Sequence, residues 1–200
     1  MAHYYSEKQE SKEERKQITV TLRGNRLKFI TASGIFSKDH IDDGSFLLIE
    51  QSLISKEKDR TILDLGCGYG AVGIAISRAF PESQVLMSDI NERAVQISQE
   101  NARLNKSNAK AVKSDVFENL HRAFDCILLN PPQSAGKNLC FRMIEESFEH
   151  LNAGGSFQLV ARHQKGGRTL SEKMHEVFGN CKAIAKSKGF RIYYSEKERE

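Results

Sequence analysis

Thr61-Ile62-Leu63-Asp64-Leu65-Gly66-Cys67-Gly68-Tyr69-Gly70-Ala71-Val72-Gly73 decides the fold of this chain. An apolar run ends in an acid, three alternate glycines follow, and a helical pattern then begins. Physically this is a buried strand, a tight turn whose backbone can approach a ligand closely, and a helix N-terminus. Gly66-x-Gly68-x-Gly70 differs from the dinucleotide fingerprint, in which a helix N-terminus faces two phosphates. Asp64 would repel a pyrophosphate at that place and suits a ligand carrying positive charge. Taken alone, the stretch also reads as a purely structural turn.

Downstream, short apolar strands alternate with amphipathic helices. Strands are expected at Thr61 to Leu65, Gln84 to Ser88, Ala109 to Lys113, Phe124 to Leu129 and Ser156 to Ala161. Helices are expected at Ala71 to Phe80, Glu92 to Asn105, Leu139 to Leu151 and Leu170 to Phe178. This is the pattern of a parallel sheet covered on both faces. Lys182 to Ser187 and Phe190 to Tyr194 flank Lys188-Gly189, a gap too short for a parallel crossover, so these two strands pair antiparallel.

Upstream, Ile18 to Leu22 and Arg26 to Thr31 alternate around Arg23-Gly24-Asn25, the pattern of a β-hairpin appended to the sheet as a cap. Ser33 to Ser45 is a loop, and a helix begins near Ser45. Residues 1–17 are polar, with no periodic apolar face, and read as a mobile tail or a short solvated helix.

With 200 residues, 39 % hydrophobic and 28 % charged, the chain fits one ordinary domain with a full core. No apolar run is long enough to span a membrane and the N-terminus has no signal-type apolar segment, so a cytoplasmic location is expected. Cys67, Cys126, Cys140 and Cys181 lack metal-ligand spacing, and packed, reduced thiols are expected.

Three further acidic or proline-rich strand ends carry chemistry. Asp89 ends the second strand of the sheet, where an α/β fold places the carboxylate that takes both ribose hydroxyls. Asp89 or Asn91 as a plain helix cap is the alternative. Asp115 ends the next strand and could accept a hydrogen bond from an adenine amino group, or be a simple loop acid. The strand Phe124 to Leu129 stops at Asn130-Pro131-Pro132-Gln133. Pro131 and Pro132 restrict the residues before them and donate no N–H, giving a stiff turn that presents the Asn130 oxygen and backbone carbonyls. Such a rigid array of acceptors suits a planar –NH2 group.

Together the four elements resemble the class I S-adenosylmethionine-dependent methyltransferases. Asp64 to Gly70 looks like their first motif, Asp89 their ribose acid, Asp115 their adenine-side acid and Asn130-Pro131-Pro132 their amino-methylating motif. The resemblance implies a Rossmann-like α/β fold. Its seven-stranded, mostly parallel sheet carries a terminal antiparallel hairpin, with helices on both faces and an N-terminal β-hairpin added. A single domain is expected over 18–195, between the tails 1–17 and 196–200. With Gly34-Ile35-Phe36-Ser37, Asp42-Asp43-Gly44-Ser45 and Gly136-Lys137, the chain is similar to the small-domain ribosomal RNA guanine-N2 methyltransferases, as a single-domain member.

That family implies S-adenosylmethionine as cofactor, held by Asp64, Gly66, Cys67, Gly68, Gly70, Asp89, Ile90, Asp115, Val116 and Asn130. It implies Asn130, Pro131 and Pro132 as catalytic, with no metal, and RNA, above all small-subunit ribosomal RNA, as partner to a monomer or homodimer. Many members carry an aromatic or large apolar residue after Asn-Pro-Pro that stacks on the base; here it is Gln133, so stacking is expected from elsewhere, with Phe36 the candidate, or is replaced by a polar contact. The target base must leave its stack to be methylated.

From Ala161 to Tyr194 eight Lys/Arg face two acids, an excess of six positive charges, more than the +4 of the whole chain. Arg162, Lys165 and Arg168 follow a strand and are candidates for phosphate contact; a solvated basic face is the alternative. Guanine N2 is the leading expectation. Adenine N6 of RNA or DNA, or an inactive cofactor-binding ribosome-assembly factor, are the alternatives. The glycine spacing and Asp64 disfavour a nicotinamide dehydrogenase.

Overall fold

The computed structural model describes residues 15–32, 40–57, 59–132 and 136–199. A hairpin of β1 (Arg15–Leu22) and β2 (Asn25–Ala32) leads to α1 (Asp43–Gln51). Then β3 (Thr61–Leu65), α2 (Ala71–Ala79), β4 (Gln84–Asp89), α3 (Glu92–Leu104) and β5 (Lys110–Lys113) alternate. They are followed by β6 (Phe124–Leu129), α4 (Lys137–Glu149), β7 (Leu151–Arg162), a π-turn (His163–Gly167) and α5 (Arg168–Phe178). The chain closes with β8 (Lys182–Ser187) and β9 (Phe190–Glu196).

Seven strands form one sheet in the order β5-β4-β3-β6-β7-β9-β8. All pairings from β5 to β7 are parallel, and β9 runs antiparallel to both β7 and β8. Period-two alternation distributes each strand between two cores. Ile62, Val85, Met87, Cys126 and Val160 join the core beneath α1, α2 and α3. Leu63, Leu65, Ile127, Leu129 and Phe157 join the core beneath α4 and α5. Successive crossovers lead one way from β3 to β5 and the other way from β6, which puts the topological switch between β3 and β6. Open α/β sheets bind ligands at that point, beyond the carboxyl ends of the strands.

Gly70 caps α2 with φ +88°, a left-handed conformation natural to glycine. Three residues on, a Cβ at Gly73 would lie 2.5 Å from Met87 Cγ, so α2 packs on β4 at a distance only glycine allows.

The N-terminal hairpin is more than an appended cap. Asn101 of α3 accepts the Ile30 amide at 2.7 Å and donates to the Ile30 carbonyl at 2.9 Å. Asn105 does the same for Lys28, at 2.9 and 2.7 Å. Two residues along a strand span about 6.7 Å and four along a helix about 6 Å, so two asparagines one turn apart can satisfy the edge of β2. Asn101 also donates to the Tyr69 carbonyl at 2.9 Å, and Phe29 meets the Tyr69 ring edge-on at 5.8 Å. The hairpin therefore braces the glycine turn.

Two expected boundaries shift. Arg15 to Gln17, assigned to the tail, extend β1 against Ile30 to Ala32, and Arg15 pairs with Glu100 at 2.8 Å. A ladder with one solvated face accepts charged residues there. At the other end β9 reaches Glu196, and the Lys197 amide bonds the Gly155 carbonyl at 2.9 Å. Residues 1–14 lie outside the described residues. Cys67, Cys126 and Cys140 are buried, Cys181 is half-buried and none is in a disulfide; burial raises each thiol pKa. Among the described residues no helix is long and apolar enough to cross a membrane.

Candidate active site

A cleft of about 950 Å³, counted to its open mouth, lies at the carboxyl ends of β3, β4, β5 and β6. Asp64, Gly66, Cys67, Gly68, Asp89 and Ile90 line it from the first two strands. Asp115, Val116, Asn130, Pro131 and Pro132 line it from the next two. Of the residues expected to hold the cofactor, only Gly70 does not line it. Its place is steric: a Cβ there would meet Ile74 Cδ1 and Ser98 Cβ at 3.0 Å.

Asp64 is 3 % exposed, and its Oδ2 accepts the Gly73 amide at 2.8 Å. Burial raises its pKa to about 7, against the pull of that amide, and the nearby Asp89 adds to the rise. The folded protein thus holds a proton that the unfolded chain releases near pH 4. This group's stabilisation is complete below that pH and is lost as the pH climbs through about 7. Asp89 is raised as well and adds a slope of the same sign. Unfolding in urea between pH 5 and 8 is expected to show stability falling with pH by on the order of 3 kcal/mol. Asp64→Asn keeps an acceptor for Gly73 and should flatten most of that slope; an unchanged slope would remove Asp64 as its source.

Asp89 ends β4 and is 4 % exposed. Its Oδ2 accepts the Gly68 amide and its Oδ1 the Asn91 amide, each at 2.9 Å. The carboxylate therefore ties the glycine turn to the next strand end, while Asn91 takes the helix-capping role on α3. Val116, a β-branched residue, sits at φ +48°, a strained conformation of the kind that collects at ligand sites.

Asp115 has a partner that the sequence does not announce. Its Oδ1 pairs with Arg142 of α4 at 2.8 Å, so one carboxylate oxygen is already engaged by a cation 27 residues away. Arg142 also bonds Glu146 at 2.7 Å. An acid at a strand end announces itself in the sequence, whereas its partner on a later helix does not.

Asn130 is held by two residues that sequence reasoning had not assigned to the site. Its Nδ2 donates to Ser45 Oγ at 2.9 Å and to Asp42 Oδ1 at 3.2 Å. The same Asp42 oxygen caps α1 by accepting the Ser45 amide at 2.9 Å. With both amide hydrogens committed, Oδ1 is the free end, without a hydrogen-bond partner among the described residues. Asp42 ahead of Ser45 and an apolar run is a legible helix cap; its second task depends on where β6 ends.

The cleft suits an adenosyl ligand of mixed character. Ile90, Val116, Leu139 and Met143 supply apolar wall, and among the described residues a Cβ on Gly66 would find only Met143 Cε, at 3.9 Å. Ser88 Oγ and Tyr69 Oη, on two lining residues, are buried without a hydrogen-bond partner among the described residues. Among the described residues no group of His, Cys, Asp or Glu could hold a metal ion.

A second cavity shares Pro131 and Pro132 with the cleft and is also lined by Lys137, Cys140, Lys165 and Thr169. Arg162 and Lys165 line a third depression, beside the β8–β9 turn. Arg168 lines none of the three; its guanidinium lies on the exposed side of α5, paired with Glu172 at 3.0 Å. Phe36 and Gln133, the two candidates for contact with the base, lie outside the described residues.

The methyltransferase small-domain model matches residues 26–194. An uncharacterised protein of Bacillus subtilis, YbxB, is 40 % identical over 198 residues, 98 % of each chain. Ribosomal RNA small subunit methyltransferase C of Actinobacillus pleuropneumoniae serotype 7 is 31 % identical over 182 residues, 89 % of this chain and 54 % of that protein. The 16S rRNA N2 G1207 methyltransferase of Thermus thermophilus, solved with AdoMet and guanosine, superposes with a TM-score of 0.79 at 24 % identity. That match covers 92 % of this chain and 51 % of the other, so the chain spans about half the length of these named methyltransferases. The chain belongs to the methyltransferase small-domain family of S-adenosylmethionine-dependent enzymes.

Proposed function

We propose that this protein methylates an exocyclic amino group of an RNA base, guanine N2 of small-subunit ribosomal RNA. The observation that carries the reading is the fixed orientation of Asn130, whose Nδ2 is committed to Ser45 and Asp42 and whose oxygen is left for a ligand. The named relatives that act on small-subunit ribosomal RNA support the choice of substrate.

The cofactor supplies a methyl carbon made electrophilic by its sulfonium. The task of this chain lies with the acceptor, whose nitrogen lone pair is delocalised into the base. Asn130 Oδ1 and the Pro131 carbonyl take the two N–H groups and aim the lone pair along the line of transfer. With the cofactor bound, these fixed dipoles would stabilise the positive charge that grows on the acceptor nitrogen as it takes the methyl group from the sulfonium. The prolines keep the acceptors in place without reorganisation, and correct orientation lowers much of the remaining barrier. The nitrogen then releases its proton to water. The cavity beyond Pro131 and Pro132 is where an unstacked base is expected to enter.

Mass spectrometry of nucleosides from cells lacking the protein tests the reading. Loss of N2-methylguanosine from small-subunit ribosomal RNA is the expected result. Loss of N6-methyladenosine, or no change in any methylated base, would overturn it.

A further inference from the structure

Resting on the RNA-methyltransferase reading, we propose that the groove between the π-turn and the β8–β9 turn is a track for the backbone of single-stranded RNA beside the target nucleotide. Arg162, Lys165, Lys186, Lys188 and Arg191 line this groove, and among the described residues no acid does. The basic C-terminal region has eight cations, and the tertiary structure divides them. Arg168 and Lys173 are paired with acids on the helical side, and Lys182 lies over the Tyr194 ring. The other five share one concavity.

A merely solvated basic face would scatter its charges or neutralise them locally. Here Arg162, Lys165, Lys186 and Arg191 make no ion pair among the described residues. Lys188 alone is paired, to Asp43 at 2.7 Å, in an exposed contact of the kind that polyanions displace readily. Concave surfaces lined by one sign of charge focus the field and draw in the opposite charge.

The groove is also built rather than frayed. Arg162 stacks on the Phe190 ring, 4.4 Å from its centroid, and donates to the Lys188 carbonyl at 3.4 Å. The π-turn folds back so tightly that a Cβ on Gly167 would lie 2.7 Å from the Arg162 carbonyl oxygen. Lys188 and Gly189 both take left-handed conformations in the opposing turn.

Its position relates it to the chemistry. Lys165 lines both the groove and the cavity beyond Pro131 and Pro132, and those prolines line both that cavity and the cofactor cleft. One path therefore leads from cofactor to base to phosphates. A nucleotide turned into the cavity leaves its neighbouring phosphates over the five cations. A cationic groove that follows the backbone is how single strands are held without reading their sequence.

The test is the salt dependence of binding to a fluorescent single-stranded RNA, with and without Lys186→Gln and Arg191→Gln. Each lost phosphate contact should lower the slope of log K against log salt by about 0.7, so the double variant should lose about 1.4 and Lys186→Gln alone about 0.7. Lys173→Gln with Lys182→Gln removes equal charge outside the groove and should leave the slope as it is. The KM for RNA should rise in the double variant with kcat and cofactor affinity unchanged. A wild-type slope in the double variant, or an equal loss in the control, overturns the groove even where the wild-type protein methylates RNA. Loss of slope confined to the groove variants, with no methyl transfer to RNA by the wild type, instead sinks the enzymatic reading and keeps the track.

Discussion

Asn130→Ala is expected to lower methyl transfer by about 10²–10³-fold, while affinity for S-adenosylmethionine stays within about threefold. The reasoning is geometric. Both amide hydrogens of Asn130 are bound, to Ser45 at 2.9 Å and Asp42 at 3.2 Å, so its oxygen is aimed before substrate arrives. Removing a prealigned acceptor costs the transition state more than the ground state, because charge develops on nitrogen only during transfer. Two further variants separate aiming from accepting. Ser45→Ala keeps the oxygen but loosens its hold, and the loss of one hydrogen bond corresponds to about a tenfold fall. Asn130→Asp keeps an acceptor but sets a carboxylate against Asp42 and loses both donors, so it should stay close to the alanine variant. Single-turnover rates at saturating cofactor measure all three, and undiminished turnover in Asn130→Ala would end the assignment.

Asp89→Ala should weaken cofactor binding by at least about 10²-fold, since hydrogen bonds to a charged group are worth about 1.5–3 kcal/mol each. The carboxylate has two tasks. It is the strand-end acid that we propose takes the ribose hydroxyls, and it holds the amides of Gly68 and Asn91 at 2.9 Å. Its replacement therefore removes the proposed ligand contact and leaves the buried amides of Gly68 and Asn91 unmatched. Asp89→Asn is expected to fail nearly as badly, because its new N–H₂ would face one of those amides donor to donor. Calorimetry with S-adenosylmethionine and S-adenosylhomocysteine checks the role. A ribose ligand loses affinity equally for both, whereas a loss confined to the sulfonium form would move Asp89 away from the ribose.

The alternating strands and helices were legible because each follows from a short-range period: two for strands, near 3.6 for helices. The hairpin turns were legible in Gly24 and Gly189, since a tight turn needs positive φ and glycine supplies it, although the first turn is two residues long and Asn25 already pairs with Leu22. The ends of β1 and β9 were misjudged. Charged residues there gain their order from a paired neighbour strand, and a local reading sees only their polarity.

The same division runs through the active site. Sequence alone determined the glycine turn, the acids that close successive strands and the proline-stiffened end of β6, since backbone sterics act between adjacent residues. It could not say which atom of Asn130 would be free, because that is set by Asp42 and Ser45, 88 and 85 residues earlier. Nor could it say that Arg142 would engage Asp115, or which five of eight cations would share a groove. Those outcomes depend on which distant segments the sheet order makes neighbours, and only the tertiary structure brings their charges and hydrogen bonds within reach.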